Sequence, residues 1–233
     1  MKRSIWIGWE PREADAYAVT CRSLFAKSPE CPRIQRIDLA NLRSMGLYQR
    51  ETVRRKGQLY DVISDAPMAT QFAISRFFTP ILAQSGWALF MDCDMLARAD
   101  VNNLFDLADP SKAVMCVQHA TPVGKHASGI KMDGQQQTAY ARKNWSSVML
   151  FNCDHPANRA LSIEMLNSAR GRDLHQFCWL DAADIGALPH SWNHLVGVDP
   201  HDPLASIAHF TLGVPSMKGY ADSEFADEWR SYL

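Results

Sequence analysis

Trp87–Met91 is a run of five apolar residues that leads without a spacer into Asp92-Cys93-Asp94. No other feature constrains the fold as strongly. A short apolar run with no polar alternation predicts a strand covered on both faces, as in the middle of a parallel α/β sheet. In such sheets ligands bind outside the carboxyl ends of the strands. Two carboxylates one residue apart at that end can reach a single cation. Mn²⁺ or Mg²⁺ suits such oxygen ligands, and the cation would bridge a diphosphate and neutralise charge on a leaving group. A D-x-D pair alone is frequent in surface turns; it is the apolar run before it that favours the metal-binding reading.

The rest of the chain fits one α/β domain spanning residues 1–233. "SIWIGW" (4–9) predicts a buried strand, and "EADAYAVTCRSLFA" (13–26) carries apolar residues at helical spacing. A strand feeding a helix this early suggests a parallel sheet. "DAPMATQFAISRFFTPILAQSG" (65–86) predicts a helix capped by Asp65, with Pro67 in its first turn and Gly86 past its end. "AVMCVQ" (113–118), "SVMLFN" (147–152) and "ASIAHFTLG" (205–213) predict strands, and "HPANRALSIEMLNSA" (155–169) a helix. Residues 119–144 are polar, with three glycines, and suggest a loop that closes over a ligand.

Composition excludes several classes. A net charge of −1 gives no field that would recruit nucleic acid or an anionic membrane. No stretch approaches the roughly 20 apolar residues of a transmembrane segment. The opening apolar run is broken by Gly8 and Glu10, so no signal peptide is expected. Six scattered cysteines without a C-x-x-C pair argue against a zinc site or a dense disulfide framework and favour a reduced, cytoplasmic protein.

Other candidates are weaker when taken singly. His209 sits on an apolar strand, where a lone histidine is more often a core residue bonded to a carbonyl. Lys218 reads as a solvated lysine, Arg76 as an arginine whose stem covers apolar surface, and Tyr17 as core packing. Trp145 and Trp192, beside Ser146, Ser147 and Asn193, suit either sugar binding or ordinary packing.

The order of these pieces resembles the GT-A glycosyltransferases of family eight, the glycogenin and bacterial galactosyltransferase type, in a divergent branch. The likeness runs from about Ile5 to Lys218. "DAYAVTCRSL" (15–24) is similar to the family's opening helix, which implies that Tyr17 stacks on the nucleobase. "AISRFFTPILAQSGWALFMDCDML" (73–96) is similar to the central block, which implies that Arg76 contacts the donor and that Asp92 and Asp94 bind metal. "NWSSVMLFN" (144–152) resembles an Asn-Ser-Gly-Val-Met segment lining the donor sugar, with Ser147 in place of the glycine. "LPHSWNHLVG" (188–197) resembles a Leu-Pro-x-x-Tyr/Trp-Asn element. "HFTLGVPSMKGY" (209–220) resembles a His-x-x-Gly-x-x-Lys-Pro-Trp ending, which makes His209 the third metal ligand and places Gly213 and Lys218 at the diphosphate.

The resemblance implies a single Rossmann-like GT-A domain with a mostly parallel, mixed sheet flanked by helices. It implies Mn²⁺ or Mg²⁺, a UDP-hexose donor, a hydroxyl acceptor and retention of anomeric configuration. Gly8, Trp9 and Cys93 join the donor site; Trp145, Trp192 and Asn193 line the acceptor. Asp173, or alternatively Asp181, takes the place of the family's acidic residue near the reacting carbon. The alternatives are a D-x-D phosphatase and a sugar-nucleotide-binding protein without turnover.

Overall fold

The computed structural model describes residues 2–120, 129–131, 135–137, 142 and 144–233, with backbone only for 129–131 and 135–137. Most of the stretch expected to form a ligand-closing loop, 119–144, lies outside the described residues. The apolar runs become the strands of the main sheet. β1 (Arg3–Gly8) lies parallel to both β2 (Ile34–Ile37) and β6 (Trp87–Met91), with Trp6 opposite Phe90. All five residues of β6 are buried, as a strand covered on both faces requires.

Beyond β6 comes β11 (Val148–Asn152), antiparallel to β6 and also to β8 (Val114–Cys116); β12 (Ile185–Ala187) then pairs parallel with β8. Among the described residues the order is β12-β8-β11-β6-β1-β2. Three of these five pairings are parallel, so the sheet is mixed and mostly parallel, as expected. Helix α1 (Ala14–Lys27) follows β1, within one residue of the predicted bounds at each end.

Smaller sheets complete the frame. β7 (Met95–Ala97) pairs antiparallel with β14 (Ile207–His209), which pairs parallel with β13 (His194–Leu195). β3 (Thr52–Arg55), β4 (Gln58–Asp61) and β5 (Ala66–Met68) form an antiparallel meander, and β9 (Gly129–Lys131) pairs with β10 (Gln135–Gln137). Among the described residues, no helix is long and apolar enough to cross a membrane.

Two helix expectations are corrected. Residues 65–86 form no single helix. Asp65 has φ +48°, and Ala66–Met68 join the meander, with Pro67 opposite Tyr60. Only Ser75–Phe78, as a 3₁₀ turn, and Thr79–Ala83, as α-helix, are helical. Pro67 has φ fixed for an edge strand and no N–H to contribute to a helix. Gly86 does end the segment, at φ +77°. In the second case, residues 155–169 split into Pro156–Ala160 and Ile163–Ser168, because the Ser162 side chain accepts from Met165 N and starts a new helix.

A buried ion pair anchors the meander. Arg50 Nε and Nη2 lie 2.9 and 2.5 Å from the Asp61 carboxylate, and both residues are within 1% of complete burial. Arg50 Nη1 also donates to Leu166 O and Ala169 O, so one guanidinium closes off the C-terminal end of the 163–168 helix. Its planar fork suits these partners, and the hydrogen bonds offset the desolvation of the charges.

Candidate functional site

The D-x-D loop is built by the end of β6 and the immediate return into β7. Asp92 N donates to Ser147 O, fixing the loop against the residue before β11. From α1, Thr20 Oγ1 lies 2.6 Å from Cys93 O and 2.7 Å from Met95 O, and accepts from Met95 N. The β7–β14 register sets His209 opposite Met95, and Phe210 N donates to Asp94 O. The sheet therefore carries a residue more than a hundred positions away to the loop. Oxygens of Asp92 and Asp94 and a ring nitrogen of His209 all lie within 4.8 Å of one another. Asp94 is 3% exposed and His209 1%.

Hydrogen bonding fixes which nitrogen of His209 faces the carboxylates. Asn193 Nδ2 donates to Asn144 O at 3.2 Å and to Ser147 Oγ at 2.9 Å. A carbonyl only accepts, so the Asn193 amide has one sensible orientation, with Oδ1 toward His209 Nδ1 at 3.0 Å. Nδ1 must then carry the proton. Nε2 is left with its lone pair 3.4 Å from Asp94 Oδ1, buried and without a hydrogen bond. Two facing acceptors are stable with a cation or a proton between them. Two carboxylates and one imidazole nitrogen of fixed tautomer form a donor set that Mn²⁺ or Mg²⁺ accepts.

Arg76 lies beside this set. Its Nη1 is 2.8 Å from Asp92 Oδ1 and donates to Ser146 O, and its guanidinium sits over Phe72 and Phe90. Glu13 lies behind it, its carboxyl pushed up to about 8 by burial and then by the Asp94 charge. Cys93 Sγ donates to Glu13 Oε2, and its thiol is held well above the usual range by burial. The Cys93 side chain is thus turned inward, away from any donor.

The remaining sequence candidates divide. Trp9 and Tyr17 stand edge to face, centroids 5.1 Å apart, with the Arg36 guanidinium over Trp9; both rings are half-buried. Burial, then Cys21, pushes the Tyr17 phenol up, so it stays neutral. Gly8 is needed for packing, since a Cβ there would lie 2.4 Å from the Phe72 ring. At Gly213 a Cβ would lie 2.6 Å from Tyr220. Lys218 is exposed.

Ser146 Oγ is 2.6 Å from His175 Nδ1, and Trp145 Nε1 donates to His119 O. Trp192 is buried in the core and Asn193 is fully buried with its amide committed, so neither offers a face to an acceptor. Asp173 sits at the surface, 3.4 Å from Arg172, and Asp181 is exposed. The helix Gly171–His175 turns His175, rather than Asp173, toward Ser146 and Arg76. Burial, then Arg76, pushes the His175 imidazole down to about 3.

Sequence reading missed Glu13 and His175, neither of which carries a local motif, and gave Asn144, inside the quoted 144–152 segment, no role of its own. It also missed a second cluster, formed by His119, His190 and Asp199, whose ligand atoms lie within 4.8 Å of one another. Burial, then the neighbouring His190, pushes His119 down to about 3.

No protein-family model matches the chain. Protein CDI of Arabidopsis thaliana is 44% identical over 232 residues, which cover 97% of this chain and 83% of that protein. Among solved structures, the apo WbbM bifunctional glycosyltransferase superposes with a TM-score of 0.64 at 14% identity, over 98% of this chain and 49% of that one. Apo GlyE from Streptococcus pneumoniae TIGR4 gives 0.62 at 15%, over 100% and 60%. The galactosyltransferase LgtC, solved with donor and acceptor sugar analogues, gives 0.57 at 12%, over 98% and 94%. The chain thus spans about half of WbbM and three-fifths of GlyE. At such identities the likeness is one of fold, and that fold is GT-A.

Proposed function

The chain belongs to the same family as Protein CDI of Arabidopsis thaliana, and from that premise and its GT-A fold we propose that it is a divalent-cation-dependent glycosyltransferase. Its donor is a nucleoside diphosphate hexose, UDP-linked, and its acceptor a hydroxyl group. The reading extends to one catalytic domain over 1–233, retention at the anomeric carbon, kinship with family eight and a cytoplasmic setting. The observation that carries it is the convergence of Asp92, Asp94 and the lone pair of His209 at the carboxyl end of β6. The GT-A likeness speaks against the D-x-D phosphatase alternative.

In this reading Asp92, Asp94 and His209 hold Mn²⁺ or Mg²⁺. When bound, that cation supplies positive charge to the donor diphosphate. Arg76 orients Asp92 from behind. Trp9 and Tyr17 offer ring surface to the base, Ser146 lines the sugar side, and Gly213 and Lys218 lie toward the phosphates. Ser147, standing where family eight has glycine, orients Asn193 and so belongs to the metal site rather than marking its decay.

Calorimetry with UDP, GDP, CDP and their hexose conjugates, in Mn²⁺ and in EDTA, tests the proposal. UDP affinity is expected to rise in Mn²⁺, and UDP-hexose is expected to be consumed when hydroxyl acceptors are supplied. Equal UDP affinity in Mn²⁺ and EDTA would overturn the metal role. The Tyr17→Ala variant is expected to weaken UDP binding by about ten- to a hundredfold, the value of one base–aromatic stack, with the fold intact. Normal UDP binding by that variant would make Tyr17 a packing residue only.

Asn193 is the second test. It touches no cation, yet it decides the His209 tautomer. Asn193→Ala is expected to lower Mn²⁺ affinity by roughly 10–100-fold, as loss of such an orienting partner typically does. The electron paramagnetic resonance signal of free Mn²⁺ reports that affinity directly. An unchanged value in a folded variant would show that His209 needs no orientation.

A further inference from the structure

We propose that His119, His190 and Asp199 form a second metal site, distinct from the D-x-D site, and that its ion is of the zinc class. The parallel pairing of β8 and β12 creates it. The last paired residues are Cys116 and Ala187, and His119 and His190 each lie three positions beyond them. Leu188 N donates to Cys116 O, which keeps the two chains side by side past the strand ends. The rings of His119 and His190 meet at 5.2 Å. Asp199 comes from the turn after β13, where its Oδ2 accepts from Leu195 N and lies 3.3 Å from His190 Nε2.

Two buried nitrogens point to a ligand here. His119 is 8% exposed, its backbone is pinned by Trp145, and its Nε2 has no hydrogen bond. His194 is fully buried beside the cluster. Its Nε2 lies 3.1 Å from Glu224 Oε2, and a carboxylate accepts, so Nε2 carries the proton. The other nitrogen, Nδ1, lies 4.0 Å from Asp199 Oδ2, again without a hydrogen bond, and in the neutral ring it presents a lone pair. Two buried imidazoles, each with a ring nitrogen that makes no hydrogen bond, thus stand around one carboxylate, an arrangement a cation resolves. The His190 side chain is 53% exposed, which gives an ion access from solvent.

The donor sets separate the two sites chemically. The D-x-D site has two carboxylates and one imidazole, suited to Mn²⁺ or Mg²⁺. This site has two imidazoles and one carboxylate, with a third imidazole adjacent, a combination that favours Zn²⁺ over the harder ions. A bound ion would tie the end of β8 to both flanks of Asn193, which sits between His190 and His194. It would thereby brace the residue that sets the His209 tautomer.

The test uses the full chain, stripped of metal and titrated with Zn²⁺ against a chromophoric chelator. The variants are His190→Ala, chosen because its ring is half exposed, Asp199→Asn, whose oxygen can still accept from Leu195 N, and Asp94→Asn in the D-x-D loop. The parent and Asp94→Asn are expected to hold a tight equivalent of Zn²⁺. His190→Ala and Asp199→Asn are expected to weaken it by about tenfold or more. Zn²⁺ is expected to raise the melting temperature of the parent and of Asp94→Asn, but not that of Asp199→Asn, because an ion bound only to the folded state stabilises it. Zinc binding lost in Asp94→Asn and unchanged in His190→Ala would place the metal in the D-x-D site and overturn the proposal. Failure of the parent to bind Zn²⁺ would overturn it equally, and would leave the cluster a structural packing of side chains.

Discussion

In the Asp94→Ala variant, UDP is expected to bind with the same affinity in Mn²⁺ as in EDTA. Asp94 is nearly buried and faces His209 Nε2 at 3.4 Å, so its loss removes one carboxylate and the counterpart of the imidazole together. A loss of about 3 kcal/mol or more, on the order of a hundredfold in UDP affinity, follows from deleting one charged ligand of three. The apo fold is expected to survive, because Asp94 also acts as a like charge on buried Glu13. Calorimetry checks the binding and circular dichroism the fold. A variant still strengthened by Mn²⁺ to the parent's extent would remove Asp94 from the ligand set.

The largest stability effect is expected at Asp61. Asp61→Ala leaves Arg50 charged and buried without its carboxylate, at a cost of about 3–5 kcal/mol. For a chain of this size that lowers Tm by roughly 6–20 °C. The pair also fixes a pH dependence. Burial alone would raise the Asp61 carboxyl, but the hydrogen bonds from Arg50 and Ser64 outweigh it and hold it below the ordinary value of 3.8. A carboxylate held low in the folded state contributes stability that is present above its unfolded pKa and lost as pH falls through the folded one. Below about pH 4 the parent is expected to lose the advantage that it holds over Asp61→Ala at neutral pH. Thermal melts from pH 7 to 3 measure this. Equal Tm values at pH 7 would show that the pair contributes nothing net.

The central sheet and its loop were legible because both rest on contiguous residues. Trp87–Met91 could only be a covered strand, and the carboxylates had to emerge at its end. Helix α1 was legible from its spacing. Residues 65–86 were not, because Phe72, Arg76 and Phe77 repeat at a helical interval that a turn and one 3₁₀ segment also satisfy. The strand β5 is dictated by pairing with β4, which local propensity does not encode. His209 reached the site only through the family resemblance; its partner Asn193 was assigned to the acceptor because side-chain bookkeeping across 144, 147, 193 and 209 is invisible in one dimension. The His119, His190 and Asp199 cluster draws single residues from three segments and has no spacing to detect. Arg50 and Asp61 carried no signal either, since a buried charge looks like any other until its partner is placed.

Thr20 lies three residues after Tyr17 on the same helix, and its hydroxyl is fastened to the backbone on either side of Asp94. The half-buried ring and the acidic loop are therefore ends of one rigid caliper. Their separation is set by the helix and the two Thr20 contacts rather than by what lies between them. On the function proposed above, a donor that touches both must match that gap with its ribose-diphosphate link, and a nucleoside monophosphate sugar would fall short of one jaw whatever its base.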